Sequence, residues 1–172
     1  ANLMNPTPTI IPDPITYINE IRALARLETI QYSVEKVITG ETGGGTFATF
    51  FGDKILFVGH GTVIAGIDME KLAPENMRYE NGALSVQLPP TESFIATLDT
   101  EKSYVYDRQT GVLTKPDPNL ETLVRQKAEE EILKAALEDG ILNQAQINAE
   151  TYLFKFFAAL GFPNTIFLDN PN

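Results

Sequence analysis

The sequence predicts an α+β fold: a single domain with an antiparallel sheet, an N-terminal helix, and two C-terminal helices packed on one side. Three observations lead there. Between roughly residues 29 and 111, apolar and polar side chains alternate in short runs broken by Gly, Pro, Asn and Asp, the period of half-buried strands. Asn81-Gly82 between two such runs is a strong hairpin signal, because both residues accept the positive φ of a type I′ turn. Beyond Asp117 the apolar spacing lengthens to three and four, the period of helices. Strands first and helices after place the helices together on an antiparallel sheet.

Taken in order, residues 1–12 form a Pro-rich extended spacer, with Pro6, Pro8 and Pro12 keeping the backbone open, and 13–172 form the domain. Asp13-Pro14 supplies an N-cap and a first-turn proline, and Ile18, Ile21, Leu24 and Ala25 give a short helix ending near Glu28. Ile30, Tyr32, Val34 and Ile38 then form the first strand. The Gly-rich stretch 40–46 is a flexible connection. Phe47–Phe51, Lys54–Gly59 and Thr62–Asp68 follow as strands, and then the hairpin around Asn81-Gly82, closed by Pro89-Pro90, which cannot donate to a ladder. Ser93–Leu98, Ser103–Asp107 and a short piece after a turn over 107–111 complete the antiparallel run. Asp117-Pro118 starts a helix with the stripe Leu120, Leu123, Val124, Ala128, Ile132 and Ala136, with Glu130 placed to pair with Lys134. Gly140 stops it. Asn143 with Gln146 resembles a capping box for the last helix, whose face is Ala149, Leu153, Phe156, Phe157 and Leu160; Thr165–Leu168 rejoins the sheet as an edge strand.

Composition excludes several functions. A chain of 172 residues buries roughly 70% of its unfolded surface, enough for a core without staples. The net charge of −10, with no cluster among the 13 Lys and Arg, argues against nucleic acid and against an anionic membrane surface as partners. Without cysteine there are no disulfides, thiolate metal sites or thiol nucleophiles, and with one histidine there is no multi-imidazole site. No cofactor and no metal are expected. Glu129-Glu130-Glu131 point about 100° apart on a helix and cannot converge on one ion. The chain has no apolar stretch long enough to span a bilayer, so direct membrane insertion is not expected. It begins with Ala rather than Met, from which a removed N-terminal segment is expected.

The most informative stretch is 59–68, where three glycines and the only histidine interrupt an otherwise strand-like run. The candidate ligand or interaction residues are His60, Gly61, Gly66 and Asp68. A His60–Asp68 acid/base pair can be drawn, but no nucleophile completes a catalytic set, and Gly61 and Gly66 read as tight-turn and close-approach positions. Asp68 reads as an Asx turn or cap before Met69–Leu72. The loop over 40–46 lacks the Gly-Lys-Ser/Thr ending of a P-loop, and Gly59-x-Gly61 departs from the dinucleotide fingerprint. Phe154, Phe156, Phe157 and Phe162 read as helix-on-sheet core, with a lipid or small-molecule cavity near Phe154 and Phe157 as the alternative.

The string from Val58 to Leu72, followed by Leu88-Pro89-Pro90, Tyr104-Val105-Tyr106-Asp107 and Thr110-Gly111, resembles the bacterial domain-of-unknown-function family 4230, in order from about Glu28 to Leu168. The resemblance implies no activity and no catalytic residues. It implies an exported or single-span protein with this domain behind an N-terminal hydrophobic segment. The expected function is therefore a non-enzymatic, extracytoplasmic interaction or scaffold domain, anchored through a missing N-terminal segment, whose partner is a protein or a cell-envelope component. A cytoplasmic location, an enzyme using His60 with a nearby carboxylate, and a small-molecule or lipid-binding domain are the alternatives.

Overall fold

The computed structural model describes residues 13–43 and 45–170, so the spacer expected over 1–12 lies outside the described residues. The elements are α1 (Ile18–Arg22) after a 3-10 turn (Pro14–Tyr17), β1 (Arg26–Thr42), α2 (Ala48–Phe51), β2 (Asp53–Asp68), β3 (Met77–Glu80), β4 (Ala83–Val86), β5 (Thr91–Leu98), β6 (Tyr104–Thr110), α3 (Pro118–Glu138), α4 (Ile141–Ala159) and β7 (Thr165–Phe167). The class is α+β with an antiparallel sheet, as expected. The described elements fall into two compact units, one built from 13–27, 67–90 and 149–170, the other from 28–66 and 91–148.

The second unit holds the four-stranded sheet, in which β2 lies between β1 and β5 and also pairs antiparallel with β6. The β2–β6 register shifts between Leu56 and Phe57, a bulge that leaves Tyr106 without an opposite residue. One face of β2 is buried at every second position, from Asp53 through Ile55, Phe57, Gly59, Gly61, Val63 and Ala65. Against this face lies α3, which presents Leu120, Val124, Ala128, Ile132 and Ala136, five residues at strict i, i+4 spacing, all 3% exposed or less. The helix comes close because the strands opposite it lack side chains. A Cβ on Gly59 would lie 3.0 Å from that of Ala128, one on Gly61 would lie 2.7 Å from Ile132 Cδ1 and 2.9 Å from the Thr97 carbonyl, and one on Gly40 would fall on Val124 Cγ1.

This close packing corrects the sequence reading at the point where it was most specific. The glycines around His60 make no turn: β2 is one continuous strand through Gly59, Gly61 and Gly66, none of them at positive φ. At Gly61 the expected close approach is present, with α3 as the partner. Gly40 likewise belongs to β1 rather than to a loop, and Phe47–Phe51 is a helical turn rather than a strand. Residues 107–110 continue β6, and no strand follows Gly111 before α3.

The first unit holds a separate three-stranded sheet. β3 and β4 form the predicted hairpin, with Met77 opposite Val86, and Asn81 and Gly82 at φ 53 and 78, the type I′ geometry. β7 does not join the main sheet: it pairs with β4, and the pairing is parallel, with Leu84 opposite Thr165. The core here joins Ile21, Ile67, Met69, Leu84, Leu153, Phe157 and Phe162. Phe162 meets Tyr17 and Tyr79 edge-on, with ring centroids 5.9 and 5.6 Å apart. The N-terminal helix stops six residues early, because Ala25 turns to φ 48 and its carbonyl accepts from Met69 N at 2.7 Å. Helix α4 starts directly after Gly140, with Gln144 N donating to the Gly140 carbonyl, so Asn143 is inside the helix and forms no capping box. Lys134 lies 4.0 Å from Glu138, and Glu130 pairs with Lys127 instead.

Candidate functional site

His60 falls on the face of β2 away from α3. Its ring nitrogen Nε2 is 3.2 Å from Glu35 Oε2 on β1, and both side chains are partly open to water. Its main chain is held on both sides: N–H donates to Ser103 Oγ at 3.0 Å, and the carbonyl accepts from that hydroxyl at 3.1 Å and from Asp99 N at 2.8 Å. Ser103 is 6% exposed and its hydroxyl is committed to the His60 backbone, not to the ring. Asp99 in turn accepts from Glu101 N and Lys102 N, closing the β5–β6 turn. A cleft of about 140 Å³ lies beside Glu35, His60, Thr62, Asp99 and Lys102. The arrangement fixes a histidine–carboxylate pair on a sheet surface.

The four candidate residues are not brought together. Asp68 accepts from Glu70 N at 3.1 Å and caps the 3-10 turn Met69–Lys71, as the Asx reading expected. His60 therefore has Glu35 as its carboxylate, while Asp68 has a capping role of its own. Gly61 is filled space under α3, and Gly66 is a buried strand position. Neither makes the turn expected of it, and at Gly61 the close approach of α3 takes its place.

Two features at the other end of β2 were not anticipated. The first is an ion pair at the strand's first residue. Asp53, 2% exposed, accepts from Arg108 Nη2 at 2.7 Å, Arg108 Nε at 3.2 Å, Thr110 Oγ1 at 3.0 Å and Asp117 N at 2.7 Å. Arg108 also donates to the Asp117 carbonyl at 2.9 Å. The Arg108 guanidinium, helped by the Asp117 amide and the Thr110 hydroxyl and opposed by burial, holds the Asp53 carboxyl down at about 2, against an ordinary 3.8. Four acceptor contacts saturate this carboxylate, so it is a clamp: it joins the starts of β2 and α3 to the end of β6.

The second feature stands on that clamp. The loop from β1 to β2 and the loop from β6 to α3 are hydrogen-bonded to each other, Gly111 N to the Gly52 carbonyl at 2.7 Å and Leu113 N to the Phe50 carbonyl at 2.9 Å. Together they expose Phe47 (65%), Phe50 (46%), Phe51 (54%), Val112 (78%) and Leu113 (66%). A cleft of about 410 Å³ beside them is lined by Glu41, Thr42, Asp53, Lys54, Gln109 and Val112 among others, so charged side chains border it. Single exposed apolar residues are ordinary, but five large ones on two joined loops mark a contact surface. The signal was present in the sequence as Thr-Phe-Ala-Thr-Phe-Phe between glycines, without a charge, but its apolar content reads equally well as a strand.

Phe157 is fully buried, whereas Phe154, one turn earlier on the same helix, is 45% exposed. No group of three or more His, Asp or Glu suited to a metal occurs among the described residues. The family model described as a protein of unknown function (DUF4230) matches residues 19–166. Neither curated proteins nor solved structures include a match.

Proposed function

We propose, from the premise that this chain belongs to the DUF4230 family of proteins of unknown function, that it is a non-catalytic interaction domain, and that it docks on a cell-envelope component through the paired loops at 45–52 and 111–114. The observation that carries this reading is the exposure of Phe47, Phe50, Phe51, Val112 and Leu113 on loops that the Asp53–Arg108 clamp holds in place. A folded domain that hides Phe57, Phe157 and Phe162 completely has the means to bury three more rings. Leaving them in water raises the free energy of the unbound state by about 25 cal/mol for each Å² of apolar surface that a partner would cover.

An extracytoplasmic position, behind an N-terminal anchor, is part of the same proposal and is supported by the family resemblance and the Pro-rich lead-in. Protease added outside spheroplasts of the host should digest the domain in the full-length protein; protection until lysis would reject that location. For the docking surface, affinity capture from envelope extracts with the parent chain and with F47S/F50S/F51S is the test. Retention of an envelope component by the parent and its loss with the variant is expected. Equal capture by both chains overturns the assignment of the surface.

The His60–Glu35 pair, 3.2 Å apart beside a small cleft, favours a second reading, an enzyme using this pair for proton transfer. It predicts a turnover that is lost in H60A and E35Q alike.

A further inference from the structure

The chemistry of the exposed loop pair narrows what it docks on. The stretches 42–52 and 109–114 contain no ionisable side chain, in a chain whose net charge is −10. The charges that flank them cancel: Glu41, Asp53 and Asp107 against Lys54, Arg108 and Lys115, with Asp53 and Arg108 paired to each other. The surface also lacks Trp, Tyr and Arg, the residues that usually anchor protein–protein contacts and bring a polar handle with them. Much of the loop backbone is already satisfied internally. Phe50 N and Phe51 N donate to the Phe47 carbonyl at 2.9 and 3.0 Å, Thr114 N donates to the Gly111 carbonyl at 3.1 Å, and Gly111 N and Leu113 N bond across the two loops. Polar groups paired in this way can leave water without being orphaned.

We infer that these loops dock on the interfacial zone of a zwitterionic lipid bilayer, immersing Phe47, Phe50, Phe51, Val112 and Leu113 at the boundary between headgroups and acyl chains. The inference rests on the interaction-domain reading above and names the lipid surface as the envelope component. It departs from the expectation that the chain makes no direct membrane insertion. Among the described residues no helix is long and apolar enough to cross a membrane, and the insertion meant here is shallow and made by side chains on loops. The acidic surface sets the lipid class, since anionic headgroups repel a chain of net charge −10. Loops without ionisable side chains meet no such repulsion on a phosphatidylcholine surface.

The full chain contains no tryptophan, so one introduced residue is a clean reporter. With L113W, emission is expected to move to shorter wavelength on adding phosphatidylcholine vesicles. The parent chain should float with those vesicles, and less well when they are enriched in phosphatidylglycerol. F47S/F50S/F51S should weaken flotation by about tenfold per ring removed. V112S/L113S, which alters only exposed positions, keeps the test open if the triple variant folds poorly, and it should also weaken flotation. No emission shift and no flotation at saturating lipid overturns the inference. A shift that appears without vesicles, as protein concentration rises, overturns it too, because a second copy then covers the loops. If vesicles fail but capture of an envelope protein still depends on the three phenylalanines, the lipid inference falls and the interaction reading stands. If neither assay distinguishes F47S/F50S/F51S from the parent, both fall.

Discussion

The α3-covered face of β2 and the loop before its first residue both contain Gly and Phe, yet they use these residues in opposite ways. On the covered face, Gly59 and Gly61 clear a path for Ala128 and Ile132, and Phe57 is fully buried with Arg125 stacked 4.8 Å above its ring. In the loops, Gly43 and Gly45 sit at φ 65 and 115, where only glycine is comfortable, and the phenylalanines point outward. Glycine in a strand interior normally weakens it by about 0.5–1 kcal/mol. Here that loss is offset by the closeness of the helix. The lesson is that one composition supports folding where a neighbour fits against it and supports contact with something else where none does.

Substitutions can break that contrast, and the largest effect is expected where the two regions join. D53A removes the partner of Arg108 and the acceptor for Asp117 N and Thr110 Oγ1, and should lower unfolding free energy by about 3–5 kcal/mol in urea. On the covered face, G61V drives a branched side chain into Ile132 and the Thr97 carbonyl and should cost about 2–3 kcal/mol or more. G45A, in open space but at positive φ, should cost only about 1 kcal/mol. The ordering of the two glycine variants in one denaturation series checks whether packing or backbone angle governs each region.

Acid sharpens the picture at the clamp. The folded-state value of Asp53 lies below its unfolded value, so its contribution to stability is complete above about pH 4 and declines as pH falls from there through about 2. The parent should lose stability across that window more steeply than D53A, measured by urea midpoints at successive pH values. The smallest change is expected at the histidine. H60A removes one partly exposed ring and its contact with Glu35 but leaves the Ser103 and Asp99 bonds to the main chain, and should alter stability by less than about 1 kcal/mol.

Much of the fold was legible because local rules decided it. The Asn81-Gly82 hairpin, the Asp117-Pro118 helix start, with Asp117 Oδ1 accepting from Asn119 N at 2.8 Å, and the stripe from Leu120 to Ala136, apart from the exposed Leu123, all follow from turn chemistry and helical period. The continuous β2 was not legible. Gly59 and Gly61 look like breaks until α3 is known to lie on them, and no rule of local sequence reports a helix about 70 residues away. The parallel pairing of β7 with β4 depends on a similarly distant partner, as does the link between Asp53 and Arg108 across 55 positions. At the candidate site, the Asx cap at Asp68 and the close approach at Gly61 could be read from spacing. The pairing of His60 with Glu35 required the register of two neighbouring strands.

Urea unfolding of F47S/F50S/F51S beside the parent tests the central claim most directly, because it asks whether three large rings serve the folded state or something outside it. If they are surface, the three changes together should lower stability by less than about 2 kcal/mol. A loss well beyond about 4 kcal/mol, the range of even one buried Phe truncation, would contradict the account and return those rings to the core.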